Sequence, residues 1–291
     1  MKTLIDPAKE ASLTLTKPSP PSGLMNHFLV IWALTWREMI RFFRQKNRVI
    51  GAFGQPLLFW VLFGAGLGPS FQLPAETVVS ESSSYQEYFL PGTVMLILLF
   101  TAIFSTISII EDRKEGIMQS VLVAPISRMA MVAGKLLGGT LLALTQGILF
   151  LILGCWALGI SVGVFNWAAT IGLLFIVAFG LCGLGYCIAW RMDSTQGFHA
   201  IMSLVLLPMW LLSGAFFPAT EGWISWVIRL NPFTYAVAAF RRTFYWGIAD
   251  APFPLGLPSL TLSWVITLLF TGLLFWACCF MSAQRTAGDY Q

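Results

Sequence analysis

Long apolar stretches alternate with short polar segments along most of this chain. The intervals between charged residues leave room for six membrane-spanning helices, since one span needs about 20 apolar residues. The predicted spans are 49–68, 90–110, 136–158, 167–190, 197–218 and 259–281. Their apolar residues run continuously, whereas the strands of a membrane barrel alternate over about ten residues. The pattern therefore predicts an all-α integral membrane protein with six transmembrane helices.

The residues before the first span divide into a tail and an amphipathic helix. Residues 1–24 are polar and rich in Pro and Ser, without the apolar core of a signal peptide, which predicts a disordered cytoplasmic tail. In 25–48, an apolar helix face opposes an arginine face: Phe28, Trp32, Trp36, Met39 and Phe43 against Arg37, Arg41, Arg44 and Arg48. This pattern predicts a helix in the membrane interface. It is either a passive lipid anchor or a helix that also contacts a cytoplasmic partner.

A contiguous run of charged residues follows the second predicted span: Glu111, Asp112, Arg113, Lys114 and Glu115. Gly116 comes next and allows the chain to turn sharply. An amphipathic stretch, 117–123, follows, and Pro125 is expected to end its helix. The loop 111–135 is then succeeded by an uncharged stretch, 136–190. On its residues alone, the charged run is either a solvated turn that anchors a span or a hairpin on which a soluble partner acts.

The segment 219–258 is too polar to span a membrane and too aromatic for a free loop. It combines many aromatic residues with three arginines: Arg229, Arg241 and Arg242. Aromatic residues and arginine favour the membrane–water interface. The segment therefore predicts short re-entrant helices in the outer leaflet, between spans five and six, broken at Asn231-Pro232.

Charge is scarce and unevenly distributed. Hydrophobic residues make up 57% of the chain and charged residues 10%, against about 25% charged residues in a soluble domain. With both termini inside, 14 of the 17 Lys and Arg residues face the cytoplasm. This orientation follows the positive-inside rule, and it places the loop 111–135 and the tail 286–291 in the cytoplasm.

The predicted spans contain no Asp, Glu, Lys or Arg, and His199 lies near one end of the fifth. Ion-coupled carriers and intramembrane enzymes need such groups, so both classes are disfavoured. No phosphate-binding G-x-x-x-x-G-K-[ST] motif occurs, so the chain is not expected to bind ATP itself. The five cysteines all fall inside spans and are interpreted as packing residues. No catalytic, cofactor or metal site and no nucleic-acid partner is predicted.

Two segments resemble the type-2 export permeases of ATP-binding-cassette (ABC) transporters, which pair with a separate ATPase chain. The first is E-D-R-K-E-G at 111–116, continued by P-I-S at 125–127 and Gly134-Lys135. The second is S-G-A-F-F-P at 213–218, followed by L-N-P-F-T-Y at 230–235 and Arg241. The resemblance covers about 25–285 and is closest to bacterial drug-resistance and lipo-oligosaccharide export permeases.

This resemblance implies a transmembrane domain over 25–285 in the bacterial inner membrane. Two permease copies, expected to be identical, would meet within membrane lipids, and two ATPase subunits holding ATP and Mg²⁺ would bind beneath them. The residues implied to couple to the ATPase are Arg37, Arg41, Arg44, Glu111, Arg113, Glu115, Gly116 and Pro125. Those implied in the outer segment are Asn231, Pro232, Tyr235 and Arg241. Gln119 departs from the family, which often has an acidic residue at that position.

The implied function is ATP-driven export of an amphipathic, lipid-linked or drug-like substrate. Two alternatives stay open at this point. The chain could be a carrier or channel that works without an ATPase. It could also be a membrane-embedded enzyme that modifies lipids, in which case the polar groups it needs would lie in 219–258.

Overall fold

The computed structural model describes residues 24–44, 85–124, 126–215, 223–248 and 257–284, together with the helical residues 50, 54, 57, 58 and 60–62. Within these residues all regular secondary structure is helical. The helices are α1 Leu24–Arg44, α2 Tyr85–Ser105, α3 Ile107–Lys114, α4 Ile117–Val123, α5 Arg128–Leu158, α6 Val164–Ala189, α7 Thr195–Leu211, α8 Trp223–Leu230, α9 Pro232–Phe244 and α10 Leu260–Ala283. Residues 1–23, most of the predicted span 49–68, and 286–291 lie outside the described residues.

The all-helical membrane class predicted from the sequence is confirmed. In the described residues, four helical stretches are long and apolar enough to cross a membrane: Gln86–Lys114, Arg128–Leu158, Val164–Ala189 and Leu260–Ala283. They contain the second, third, fourth and sixth predicted spans, apart from Trp190 at the end of the fourth and Ser259 at the start of the sixth. Helix α7 covers the first part of the fifth, with 17 residues. The total of six stays a prediction.

The helical stretch formed by α2 and α3 is the centre of the bundle. It packs against α5, α6, α7 and α9, while α10 lies on α6 and α9. Glycines let these helices approach closely, as is common in membrane bundles. A Cβ on Gly185 of α6 would lie 2.6 Å from Thr106 Oγ1, and one on Gly180 would lie 2.6 Å from Thr271 Oγ1 of α10. Gly180 and Gly185 are therefore packing residues.

The bundle has two chemically distinct ends, joined by α2 and α3. Tyr88 lies near the start of this stretch and Asp112 near its end, roughly 35 Å apart at 1.5 Å per residue. We call the two ends the Asp112 end and the Arg241 end, since Arg241 of α9 packs on the ring of Tyr88. Asn166, near the start of α6, donates to the carbonyl of Phe244, so α6 also begins at the Arg241 end.

Local capping chemistry sets the breaks between the short helices. Gly116, with φ 72°, separates α3 from α4 in a left-handed conformation that favours glycine. Asn231 Oδ1 accepts from the backbone N–H of Phe233 at 3.0 Å and caps α9, with Pro232 as its first residue. The chain therefore breaks at Asn231-Pro232, as predicted.

Candidate functional site at the Asp112 end

Helix α1 lies along the first turns of α5, and two glycines allow this close approach. A Cβ on Gly134 would lie 2.9 Å from Leu34 Cβ, and one on Gly138 would lie 2.6 Å from Glu38 Cβ. Thr35 Oγ1 donates to the Gly134 carbonyl at 3.0 Å. The Gly-x-x-x-Gly spacing on α5 thus forms a groove that holds α1 at backbone distance.

A buried carboxylate, Asp112, lies where α1, α3 and α5 meet. Its side chain is 1% exposed and accepts hydrogen bonds from Arg37, Arg41 and Lys135. The Arg41 Nη1 to Asp112 Oδ1 distance is 2.8 Å. Lys135 Nζ also contacts Glu38 Oε1 at 3.1 Å. One carboxylate thereby joins three cations from two different helices.

Two further carboxylates surround the more exposed side of Arg41. Glu111 Oε2 lies 3.0 Å from Arg41 Nη2, close enough for an ion pair although not aligned as a hydrogen bond. Glu115 Oε1 lies 3.6 Å from the same nitrogen. Burial would lower the pKa of Arg41, but the carboxylates of Asp112 and Glu111 raise it more, so the net shift is upward and the guanidinium stays charged. We call these residues the ion-pair cluster: Arg37, Glu38, Arg41, Glu111, Asp112, Glu115 and Lys135.

Arg113 points away from the cluster and fastens α3 to the turn after α6. Its Nη2 donates to the Trp190 carbonyl at 2.6 Å, and its guanidinium carbon lies 5.5 Å from the centroid of the Trp190 ring. Its Nη1 forms an ion pair with Asp193 at 3.3 Å. The charged end of α3 is consequently held on one side by α1 and α5, and on the other by the turn 190–194.

The structure places the predicted coupling residues in two environments. Five of them contact other parts of the same chain: Arg37, Arg41, Glu111, Arg113 and Glu115. Arg44 is exposed at the last residue of α1, and Glu115 is half-exposed beside Arg41. Gly116 forms the turn into α4. Pro125 lies outside the described residues.

The apolar face of α1 is exposed, as predicted for a helix in the membrane interface. The side chains that show this are Phe28, Trp32, Trp36 and Phe43. The opposite, arginine-bearing face is directed inward toward Asp112, with Arg37 and Arg41 in contact with it. Exposure of one face and ion pairing of the other together fix the rotation of α1 about its own axis.

Sequence reasoning missed Glu38 and Lys135 as members of this cluster. Lys135 was assigned to a loop, but it lies two turns into α5 and its side chain is 3% exposed. A lone lysine that precedes a long uncharged stretch is itself an indication, because a buried charge in a membrane helix needs a partner. Glu38, between Arg37 and Arg41 on the same helix, is that partner.

At the Arg241 end, the predicted outer-segment residues fasten α8 and α9 to the end of α7. Asn231 Nδ2 donates to the carbonyl of Met209 at 2.6 Å and to that of Leu212 at 3.3 Å. Tyr235 is half-buried, and its hydroxyl donates to the Arg229 carbonyl at 2.9 Å. Arg241 itself is fully buried within the bundle.

The chain matches known transport proteins over most of its length. The sequence model of the ABC-2 type transporter family matches residues 30–245. The chain is similar to ycf38 of Cyanophora paradoxa, named as a transport permease, at 24% identity over 273 residues, which are 90% of this chain and 92% of the relative.

Two bacterial relatives are similar at comparable identity. DrrB1 of Streptomyces coeruleorubidus, named as a daunorubicin resistance ABC transporter permease, is 25% identical over 213 residues, covering 71% of this chain and 72% of the relative. YadH of Escherichia coli, named as an inner membrane transport permease, is 26% identical over 227 residues, covering 76% of this chain and 84% of the relative. The family match at 30–245 includes every residue of the ion-pair cluster and extends through α9.

Proposed function

The chain belongs to the ABC-2 type transporter family, and from this premise we propose that it is the permease subunit of an ATP-driven exporter. A separate ATPase subunit would bind ATP and Mg²⁺ and hydrolyse the nucleotide. The permease itself would not be an enzyme. The observation that carries the proposal is the ion-pair cluster, which joins α1, α3 and α5 at one end of the bundle.

The surface proposed to meet the ATPase is α4 with the residues on either side of it. Helix α4 buries Met118 against the bundle. Lys114 and Glu115 are exposed before it, Val123 is 86% exposed at its end, and Met129 is exposed just beyond. Exposed apolar side chains flanked by charges are typical of a contact with another protein. Gly116 sets the direction in which this surface projects.

The internal pairing of the arginines refines the coupling mechanism that the resemblance implied. We propose that Arg37, Arg41 and Arg113 hold the loop in position and do not contact the ATPase. Arg44, Glu115, Gly116 and Pro125 remain the proposed contact or hinge residues. A push on α4 would then move α1, α3 and the start of α5 together, because the cluster resists their separation.

A second copy of this chain is proposed to cover one face of α7. The buried side of α7 is a single stripe: Phe198, Met202, Leu206 and Trp210. On another face, Gln196, His199 and Ser203 are exposed and share one side of the helix. Polar side chains are unfavourable against lipid, so this face suits a partner helix or a transport path between two copies.

The membrane orientation proposed from the basic residues places the Asp112 end in the cytoplasm and the Arg241 end outside. Both termini would be cytoplasmic, six spans would cross the inner membrane, and α8 and α9 would re-enter the outer leaflet. The position of α9 supports this arrangement: it packs on α2, α6 and α10 at the Arg241 end. Trp226 and Trp246, both exposed there, suit a membrane–water interface.

An amphipathic, lipid-linked or drug-like cargo is proposed on two grounds. The ion pairs of the described residues are concentrated at the Asp112 end, so the rest of the bundle offers mainly apolar and aromatic surface. In addition, the Streptomyces relative is named for resistance to daunorubicin.

The proposal is tested by placing a charge on the α4 surface. Val123→Glu is compared with Val164→Glu, because Val164 is also 86% exposed but lies at the start of α6, at the other end of the bundle. Tagged variants are purified from the native host in mild detergent, and the co-purified ATPase subunit and its ATP hydrolysis are quantified. We expect Val123→Glu to co-purify with at least roughly tenfold less ATPase subunit than the wild type, because a charge is forced into an apolar contact.

Val164→Glu is expected to behave as the wild type, with equal amounts of both variants in the membrane. A wild-type chain that purifies alone under conditions that preserve other ABC complexes would contradict the proposal and favour an ATP-independent carrier or a lipid-modifying enzyme. Full retention of the ATPase subunit by Val123→Glu would contradict the assignment of α4 as the contact.

A further inference from the structure

Arg241 of α9 is a fully buried cation whose hydrogen-bonding capacity is only partly used. Its Nη2 donates to the Ala215 carbonyl at 3.2 Å and the Gly214 carbonyl at 3.5 Å. Its guanidinium carbon lies 4.2 Å from the centroid of the Tyr88 ring. In the part of the chain that the structure describes, its buried Nε and Nη1 make no hydrogen bond of good geometry, and the Tyr88 hydroxyl is the polar side-chain group that interacts with the guanidinium.

Arg241 forms no ion pair with a carboxylate among the described residues. The ion pairs of Arg37, Arg41, Arg113 and Lys135 lie at the Asp112 end. The neighbouring Arg242 is satisfied differently, since its Nε donates to the Pro258 carbonyl at 2.7 Å and its Nη2 to the Leu257 carbonyl at 3.1 Å. A buried, uncompensated arginine at membrane depth calls for an anionic partner.

The groups around Arg241 suit a ligand with an anionic head and an apolar body. Tyr88, Phe240 and Phe244 are fully buried in this region and offer aromatic surface. The contacts that now occupy Nη2 are long bonds to neutral carbonyls, and a charged oxygen would form shorter and stronger ones. Replacing the carbonyls by a phosphate or carboxylate would therefore be favourable if the site opened.

The arrangement also shows which movement would open the site. The turn after α7 carries the two carbonyls, and it lies directly on α2, where a Cβ on Gly92 would be 2.4 Å from the Ala215 oxygen. Trp210 Nε1 donates to the Gly92 carbonyl at 2.8 Å and fastens the same contact. Separation of this turn from α2 would expose the guanidinium between Tyr88 and α9.

We infer that Arg241 binds an anionic group, a phosphate or a carboxylate, of an amphipathic molecule at this end of the bundle. The anion would come either from a bilayer lipid or from the transported substrate, and the chemistry of recognition is the same for both. The inference deepens the proposed export function. Only the identification of the anion as transported cargo rests on that proposal. The anion site itself is tested without any ATPase subunit, so its failure would leave the coupling proposal untouched.

The test uses the full chain in dodecyl maltoside with decyl phosphate as the probe. Decanol and decyltrimethylammonium serve as neutral and cationic probes with the same tail. The melting temperature is followed as a function of probe concentration for the wild type, Arg241→Gln and Arg242→Gln. Arg242→Gln is the matched control, since it removes one positive charge from the adjacent position of the same helix.

Decyl phosphate is expected to raise the melting temperature of the wild type and of Arg242→Gln, while the other two probes do not. Arg241→Gln is expected to need at least roughly tenfold more decyl phosphate for the same shift, as expected when one charge-assisted hydrogen bond is lost. An absent shift in a wild type that carries no co-purified anionic lipid, or an unchanged response in Arg241→Gln, would overturn the inference.

Arg241→Lys keeps the proposal testable if the glutamine variant does not fold. A lysine retains the charge but not the planar guanidinium, so its response should persist with a weaker midpoint, and a response identical to the wild type would count against a guanidinium ligand. Lipid extraction of the purified proteins separates the two sources. If the anion is a bilayer lipid, that lipid co-purifies with the wild type and is depleted from Arg241→Gln. If the anion is a transported substrate, the purified wild type carries no bound lipid at this site and binds decyl phosphate directly.

Discussion

Replacement of Asp112 by asparagine should release α1 from the bundle. The substitution keeps the size and one acceptor oxygen of the side chain but removes the negative charge that three cations share. Lys135, 3% exposed, would then have Glu38 as its remaining partner within the cluster. Removing one member of a buried pair costs about 3–5 kcal/mol. We expect about 3 kcal/mol, at the lower end of that range, because Arg37 and Arg41 are partly exposed and can turn toward water.

The assay is limited digestion with trypsin in detergent, following cleavage after Arg41. This peptide bond lies inside α1 and becomes accessible when the helix detaches, so the cleavage rate follows the population of the open form. A cost of about 3 kcal/mol corresponds to roughly 150-fold faster cleavage. Asp193→Asn is the control, because Asp193 is 91% exposed and its ion pair with Arg113 should contribute almost nothing.

The order of the variants is a sharper test than any single rate. Lys135→Met should cost less than Asp112→Asn, since Asp112 keeps Arg37 and Arg41 as partners and only Glu38 loses its lysine. The double variant should cost less than the sum of both changes, because it removes the Lys135 charge that Asp112→Asn leaves with a single carboxylate partner. Equal cleavage of the wild type and Asp112→Asn, or strict additivity, would refute the assignment of Asp112 as the centre of the cluster.

Two further predictions concern glycines. Gly138→Ala should lower the melting temperature and speed the same tryptic cleavage, since its Cβ would lie 2.6 Å from Glu38 Cβ. The control Gly172→Ala should change neither, because its Cβ would meet no atom within 4 Å. A Gly138→Ala variant as stable as the wild type would argue against the close contact of α1 with α5. Gly116→Ala, at φ 72°, should cost about 1 kcal/mol of strain and reduce the co-purified ATPase subunit. Gly159→Ala, at φ 67° in the turn after α5, carries the same strain and should retain the subunit; equal retention by both would separate Gly116 from coupling.

Helical periodicity was sufficient to predict α1 and its two faces, but not what covers each face. The exposed Trp32 and Trp36 agree with the predicted membrane face. The arginine face was expected to meet lipid phosphates or a partner protein, whereas Arg37 and Arg41 meet Asp112 from a helix more than 60 residues away. Periodicity reports the direction of a side chain relative to its own helix, and the contact across helices depends on the groove formed by Gly134 and Gly138.

At the Arg241 end, one feature is set by local sequence and another by tertiary packing. The break at Asn231-Pro232 was predicted correctly because capping and the missing proline N–H act within a few residues. The burial of Arg241 was not predicted, because composition indicates a preference of a segment for the interface but not which of its side chains the fold encloses. Its burial results from the packing of α9 between α2, α6 and α10, a long-range arrangement that no local pattern encodes.

The two ends of the bundle are connected through one helical stretch, and this limits how the proposed transporter can work. Asp112 and Tyr88 both belong to α2 and α3, which are fixed at one end by the ion-pair cluster and at the other by Arg241. A rigid helix about 40 Å long transmits a displacement of one end to the other, whereas separate loops would absorb it. Under the proposed function, movement of α4 by the ATPase would shift Tyr88 against the turn that carries Gly214 and Ala215. That is the contact that encloses Arg241, so closure of the ATPase and exposure of the guanidinium would be two consequences of one movement.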